Sequence, residues 1–358
     1  MKNNDLLIQY ILNKHLIQKL KIRKDIFYIQ MNVTNQCSDN CWHCYLKKNH
    51  NIPNELSAKE FIEILDQIKH WAKVHSKRLV IDLIGGDPLQ KPDIDVLLYY
   101  LSKENINYGI KGNPYLLSEN IEKLNALKCR RYQMSLDGLE STHDAIRSKG
   151  SFEKTLNALK LLYTYKIPAN IKYTLSKQNS TDLWPLLNML YNQDIHISNF
   201  SVSRYYDANG HGFHVNRQYY DQAFKHLTDF YDKQIRNHDI RIHLSLKEHL
   251  WIPYLSQIQY LFQDFYDLLD KNPYLSSCSM IYNNATVITV DGYFDLCPKI
   301  SGLCKAKNIN EYMEKKEIFI NNIKKKACVG CKWKTICLGC PAFYTEDQRI
   351  KDCDCFFY

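Results

Sequence analysis

No stretch of this chain approaches the roughly 20 consecutive apolar residues that a membrane-spanning helix needs, and none of its 358 residues reads as part of such a span. No secretory signal is legible either. Gln9, Asn13, Lys14, His15, Gln18 and Lys19 interrupt every apolar run near the amino terminus, so the uninterrupted apolar core of a signal peptide is missing. These two absences set the reading of the thirteen cysteines. An odd number of thiols with no secretory route implies a cytoplasmic protein whose cysteines stay reduced and free to bind metal. A strong charge of one sign is lacking too. The net charge of +9 is mild for the length, and the denser clusters at 14–24 and 324–326 read as solvated faces. That argues against nucleic acid as a partner; an acidic peptide would suit the same clusters.

What is present is enough apolar and aromatic material, 45% hydrophobic residues, for a sizeable core and either two domains or one barrel with an appendage. Leu6, Leu7, Tyr10, Ile11, Leu16, Ile17 and Leu20 recur at helical spacing, which predicts an amphipathic helix over 1–25. A separate recognition domain of ordinary size does not fit in that segment.

From residue 26 the pattern alternates. Strand-like runs at 26–34, 78–85, 107–111, 131–136, 170–175 and 198–205 are separated by helical patterns at 57–75, 94–102, 118–127, 152–165 and 182–192, with another at 218–235. Ser57 and Glu60 form a capping box at the first helix. Such βα repetition predicts an α/β fold, a parallel sheet curled into an open (β/α)6 partial TIM barrel spanning 26–238. Chemistry in such barrels sits at the carboxyl ends of the strands, and the polar and glycine-bearing motifs of this chain fall there. An aromatic-rich connector with Trp251, Tyr254, Tyr260, Phe262, Phe265, Tyr266 and Tyr274 follows over 239–274, and a small cysteine-rich domain closes the chain over 275–358. Core-packing helices are the simplest reading of the connector, and a groove for an extended peptide is the alternative.

The first barrel strand ends in Cys-Ser-Asp-Asn-Cys-Trp-His-Cys, which places Cys37, Cys41 and Cys44 at C-x3-C-x2-C. Three thiolates on one loop can hold three corners of a [4Fe–4S] cluster and leave the fourth iron open to a ligand. A zinc site that borrows a ligand such as His43, or a disulfide, is the competing reading. The motif resembles the signature of the radical SAM enzymes, in which the open iron chelates S-adenosylmethionine. Gly85-Gly86-Asp87-Pro88 after the second strand resembles the family's GGEP motif, with Asp in place of Glu. The resemblance implies that this backbone holds the methionyl amino group. Gly112-Asn113-Pro114 resembles the Thr-Asn-Gly of relatives. Ser135-Leu136-Asp137-Gly138, His143-Asp144 and Arg147 resemble the SLDG…HD…R segment of the subgroup with a SPASM extension. By that resemblance Ser135 bonds the ribose and Arg147 pairs with the methionyl carboxylate, for which its planar fork is suited. His143 and Asp144 are expected to order the loop. Asn179 follows the fifth strand and Arg204 ends the sixth, ahead of Asp207 and Gly210; Asn179 and Arg204 each face either the cavity, where Arg204 would join the cosubstrate contacts, or solvent.

A second cysteine block reads C-x13-G-x4-C through Cys278, Gly292 and Cys297. It continues as C-x2-C-x5-C-x2-C through Cys328, Cys331, Cys337 and Cys340, and ends with Cys353 and Cys355. Two C-x2-C pairs alone would suit a zinc ribbon. The whole array resembles the SPASM domain, with one residue missing before Cys340, and so implies two auxiliary [4Fe–4S] clusters, three in the chain. Carried over by position, one takes Cys328, Cys331, Cys337 and Cys355, with Cys353 as the alternative last ligand. The other takes Cys278, Cys297 and Cys340, and has either an open iron or Cys304 as its fourth ligand. Cys129 is left over, as a buried small hydrophobe or a hydrogen-atom donor.

The resemblance implies reductive cleavage of S-adenosylmethionine and hydrogen abstraction by a 5′-deoxyadenosyl radical. The expected substrate is a ribosomally made precursor peptide that gains a thioether or carbon–carbon crosslink or an epimerised residue. A separate leader-recognition protein and an external electron donor such as flavodoxin or ferredoxin are the partners it implies. No side-chain nucleophile or base is needed for that step. An anaerobic sulfatase-maturing enzyme is the alternative, weakened by Pro298 where those relatives carry a base Asp next to the cysteine matching Cys297. A metal-bearing peptide-binding protein without catalysis is the third.

Overall fold

The computed structural model describes residues 25–46, 55–207, 210–245, 280, 284–326, 329–331 and 340–341. The expected amino-terminal helix, the connector aromatics from Trp251 to Tyr274, and Cys278, Cys328, Cys337, Cys353 and Cys355 lie outside these residues.

Strand β1 (Ile26–Thr34) shows why the barrel forms. Phe27, Ile29, Met31 and Val33 are fully buried on one face, while Tyr28, Gln30 and Asn32 alternate onto the other, as the two-residue period of a strand requires. The apolar face packs under α1 (Ala58–Val74), whose buried Phe61, Leu65 and Ile68 recur at helical spacing. Each such side chain contributes roughly 1.5–3 kcal/mol on burial. The first turn of α1 is closed by the expected box: Glu60 N–H donates to Ser57 Oγ at 3.3 Å and Ser57 N–H to Glu60 Oε2 at 2.7 Å.

The alternation then runs β2 (Arg78–Gly85), α2 (Ile94–Lys103), β3 (Asn107–Lys111), α3 (Leu117–Ala126), β4 (Tyr132–Ser135), α4 (Glu140–Ile146), α5 (Ser151–Thr164), β5 (Ala169–Leu175), α6 (Leu183–Asn192), β6 (Ile197–Arg204) and α7 (Arg217–Arg236). All neighbouring pairs from β1 to β6 are parallel. This is the expected α/β architecture, a parallel sheet with the helices between its strands.

The sheet extends beyond six strands at both edges. Among the described residues it contains nine, in the order β7 (Ile242–Ser245), β6, β5, β4, β3, β2, β1, β8 (Ala285–Ile288) and β9 (Phe294–Asp295). Strand β7 (Ile242–Ser245) lies in the range expected to be connector and pairs parallel with β6. Strand β8 (Ala285–Ile288), from the cysteine-rich segment, pairs parallel with β1, and β9 (Phe294–Asp295) folds back on it antiparallel. Helix α8 (Ile309–Lys326) follows, and its Tyr312 hydroxyl donates to Ala285 O at 2.6 Å, tying it to that edge. The expected second domain is therefore continuous with the barrel sheet where its first hairpin begins.

The polar face of the strands lines the lumen. Its best-connected group is Asp82, which takes Lys111 Nζ at 3.0 Å, Arg131 Nε at 2.8 Å and the Tyr28 hydroxyl. Burial alone would push this carboxyl up, but the Lys111 and Arg131 charges hold it well below the usual carboxylate range.

Candidate functional site

The cysteine loop leaves the carboxyl end of β1. Cys37 is exposed, Cys41 buried and Cys44 between the two. Burial pushes the Cys41 thiol up to about 12, with Arg147 pulling the other way. A thiol held that high is no nucleophile at neutral pH; it becomes a thiolate when a metal takes it.

Paired glycines position this loop. A Cβ on Gly85, whose φ is +143°, would sit 2.1 Å from Thr34 O, and one on Gly86 2.1 Å from Gln36 O. Both glycines are thus required by close approach of β2 to the loop backbone, where Gly86 N–H donates to Thr34 O at 2.8 Å and Asp87 N–H to Gln36 O at 2.7 Å. Asp87 is fully buried. Burial raises its carboxyl to about 6, against backbone hydrogen bonds from Leu89 and Asn113. Pro88 opens a short 3-10 turn, Pro88–Gln90, with Asp87 as its cap.

Two of the expected cosubstrate residues reach the sulfurs. Asn113 Nδ2 lies 3.2 Å from Cys37 Sγ, and Arg147 Nη1 lies 3.5 Å from Cys41 Sγ. The other two guanidinium nitrogens of Arg147 face Asp137 Oδ2, at 2.8 Å from Nε and 2.7 Å from Nη2. Asp137 is fully buried and also accepts from Thr174 N at 2.7 Å, with His43 Nε2 3.8 Å away. Around it the loop is ordered by hydrogen bonds from buried residues. Asp137 N–H donates to His143 Nδ1 at 3.0 Å, which fixes the neutral imidazole so that Nε2 donates to Ser151 Oγ at 2.7 Å. Burial, followed by the Arg147 charge, lowers His143 to about 4, consistent with that tautomer. Asp144 takes the Phe152 amide at 2.9 Å. Asn179 is buried, and its amide donates to Asp137 O and Thr174 O, each at 2.9 Å. Ser135 ends β4 half-buried, and Arg204 ends β6 buried.

Other contacts had no sequence signal. Glu55 clamps the start of the loop, accepting from Thr34 Oγ1 at 2.7 Å and Asn35 N at 2.6 Å. Tyr115 OH donates to Asp39 Oδ1 at 2.6 Å. Trp42 stacks edgewise on Tyr205, His211 and Phe213, with centroids 5.3, 5.6 and 4.7 Å away, so the segment after β6 covers the loop. Asp207 holds that segment through the Tyr205 hydroxyl and the His211 and Gly212 amides, at 2.7, 2.8 and 2.7 Å.

Among the described residues, no three His, Cys, Asp or Glu side chains converge on a point that would hold a single metal ion. A cubic cluster asks for a different arrangement, one thiolate on each of three irons.

Residues 31–190 match the radical SAM superfamily. This stretch is a radical SAM domain. Its family implies one [4Fe–4S] cluster and S-adenosylmethionine. The chain is 29% identical over 187 residues to Fe-coproporphyrin III synthase of Methanosarcina barkeri, covering 51% of this chain and 45% of that one. It is 26% identical over 155 residues to the sporulation killing factor maturation protein SkfB of Bacillus subtilis, covering 43% and 37%. It thus spans less than half the length of these curated relatives. Among solved structures, SuiB of Streptococcus suis bound to S-adenosylmethionine matches with a TM-score of 0.70 at 19% identity, over 96% of this chain and 81% of that one. SuiB has also been solved bound to its precursor peptide SuiA. The anSMEcpe structure with bound AdoMet and the Kp18Cys peptide matches with a TM-score of 0.67 at 18% identity, over 91% and 92%. At these identities the likeness is one of fold, and it extends past the radical SAM domain to nearly the whole chain.

Beside the cysteine loop, the Tyr45 phenol is pushed up by burial and then by Cys44, with Cys297 also within electrostatic reach. Burial, Cys297 and Cys340 raise Tyr206. Tyr206 is thus within electrostatic reach of both Cys297 and Cys340. Cys304 is buried at 2% exposure against Asp295, whose Oδ1 accepts its amide at 2.9 Å. Cys129 is buried and its thiol donates to Arg131 O at 3.3 Å. No helix among the described residues is long and apolar enough to cross a membrane.

Proposed function

We propose that this chain is a radical SAM enzyme acting on a ribosomally made peptide, with a SPASM-type extension that holds two auxiliary clusters. The observation that carries the reading is the Cys37–Cys41–Cys44 loop at the carboxyl end of β1, inside a matched radical SAM domain. The residues present suit the groups that family implies. Asn32 Oδ1 and Asp87 Oδ2 are buried acceptors with no hydrogen-bond partner among the described residues, and both stand where β1 and β2 meet the loop. A cosubstrate with an ammonium group brings the donors they lack. Cys37, Cys41 and Cys44 would hold the cluster, with Gly85 to Pro88, Asn113, Ser135, Arg147 and Arg204 around the cosubstrate.

When bound, the cluster and S-adenosylmethionine supply one-electron chemistry able to remove hydrogen from an unactivated carbon. The chain's own residues orient and seal. Asp137, His143 and Asn179 fix the floor at the ends of β4 and β5. Trp42, Tyr205, His211 and Phe213 cover the loop against water, and the lumen presents polar groups to a substrate.

In the extension, Cys328, Cys331, Cys337 and Cys355 would serve one auxiliary cluster and Cys278, Cys297 and Cys340 the other. The electrostatic reach of both Cys297 and Cys340 to Tyr206 is in keeping with the second set. The fourth iron of that cluster is either open or taken by Cys304. Peptide as substrate is supported by the name of SkfB and by the peptide-bound forms of SuiB and anSMEcpe. A tetrapyrrole is the second reading, favoured by the higher identity to Fe-coproporphyrin III synthase, although that match stops at about half of this chain.

Iron and acid-labile sulfide analysis after anaerobic reconstitution tests the metal content. About twelve of each per chain are expected for three four-iron clusters; zinc without sulfide would overturn the reading.

A further inference from the structure

We infer that Asn113 and Arg147 act on the cysteine loop itself, donating hydrogen bonds to Cys37 and Cys41 that raise the reduction potential of the cluster held there. The inference rests on the metal-centre reading above. It follows from where the donors already point. Asn113 is nearly buried, its backbone carbonyl accepts from the Tyr132 hydroxyl at 2.8 Å, and its Nδ2 reaches Cys37 Sγ at 3.2 Å. Arg147 has committed Nε and Nη2 to Asp137 Oδ2, and its Nη1 is aimed at Cys41 Sγ at 3.5 Å. Asp137, fully buried and anchored by the Thr174 amide, holds the Nε–Nη2 edge of the guanidinium, which leaves its Nη1 end directed at the cysteine loop.

The electrostatics give the direction. Reduction adds one negative charge to a cluster and its thiolates. N–H dipoles at two of the three sulfurs, and a full positive charge at one, stabilise the reduced form more than the oxidised form. Asp137 is then a positioning residue that holds Arg147 in place.

The test is a potentiometric titration of the reconstituted full-length chain, followed by the EPR signal of the reduced cluster, with S-adenosylmethionine left out. The signal belonging to this cluster is the one absent from the chain with Cys37, Cys41 and Cys44 all changed to Ala. Asn113→Leu keeps the side-chain size and removes the donor; Arg147→Gln removes the charge. Each is expected to lower the equilibrium constant for reduction about tenfold, equivalent to about 59 mV for one electron. Unchanged midpoints, with weaker S-adenosylmethionine binding by Arg147→Gln, overturn the inference and make Arg147 a cosubstrate ligand. Should Arg147→Gln fail to retain the cluster, Asn113→Leu decides, because it leaves no unpaired charge buried. Failure of the unsubstituted chain to take up iron and sulfide would instead defeat the metal-centre reading.

Discussion

Replacing Asp137 by Asn probes the arrangement beneath the candidate site most severely. The carboxylate is fully buried and accepts from Arg147 Nε and Nη2 at 2.8 and 2.7 Å and from Thr174 N at 2.7 Å. Burial alone would push its carboxyl up, but the Arg147 charge, then His43 and His143, brings it below the usual carboxylate range. An Asn amide can still accept from Thr174, yet it leaves the guanidinium, 12% exposed, without a counter-charge. Removing one partner of a buried pair costs about 3–5 kcal/mol. With an unfolding entropy of about 2.1 cal/mol/K per residue over 358 residues, Tm should fall by roughly 4–7 °C. Thermal unfolding of the metal-free chain followed by circular dichroism reads this directly. Because the folded pKa is lowered, the contribution is fully present above about pH 4. It is lost as the pH falls through the folded value, so the gap between Asp137→Asn and the unsubstituted chain should close in acid. The double variant Asp137→Asn with Arg147→Gln should lose less than the sum of the two, since the pair is coupled. A Tm change of about 1 °C or less, or strict additivity, would refute the argument.

Three further outcomes follow from other contacts. Gly86→Ala places a methyl 2.1 Å from Gln36 O, so it should destabilise by about 1–3 kcal/mol and lower iron uptake on reconstitution; normal uptake would mean the loop tolerates the shift. Asp87, raised to about 6 from 3.8, favours its protonated form in the fold, so stability is fully present below the unfolded value and is lost as pH rises through about 6. Asp87→Asn should therefore match the metal-free parent near pH 4 and exceed it by about 2–3 kcal/mol at pH 8 in urea unfolding, and equal stability at both pH values would count against it. Asp82→Asn strips Lys111 and Arg131 of their shared carboxylate and should cost about 3–5 kcal/mol, whereas a change within 0.5 kcal/mol would mean another group neutralises them.

The barrel was legible because its strands alternate. In β1 the apolar Phe27, Ile29, Met31 and Val33 interleave with Tyr28, Gln30 and Asn32, and the helices between carry their own period, the first with a capping box, so most ends were placed within a residue. Strand β8 was not legible as part of that sheet. All four of its residues are buried, which leaves no alternation to read, and its partner β1 lies more than 250 residues earlier. Strand β7 is four residues long and has too little pattern to separate from a connector. At the site, spacing revealed the cysteines, which sit next to one another in sequence. It did not reveal that Gly85 and Gly86 are demanded by the Thr34 and Gln36 carbonyls. Nor did it show that Arg147 is engaged by Asp137, because such pairings depend on which strand ends the fold brings together.

The most direct test of the account is anaerobic. The chain is reconstituted with iron and sulfide, S-adenosylmethionine and dithionite are added, and 5′-deoxyadenosine is measured by chromatography. The account predicts its formation by the unsubstituted chain and none by the variant with Cys37, Cys41 and Cys44 changed to Ala. No 5′-deoxyadenosine from a chain that carries its full iron and sulfide would contradict it, and would leave a metal-bearing binding protein in its place.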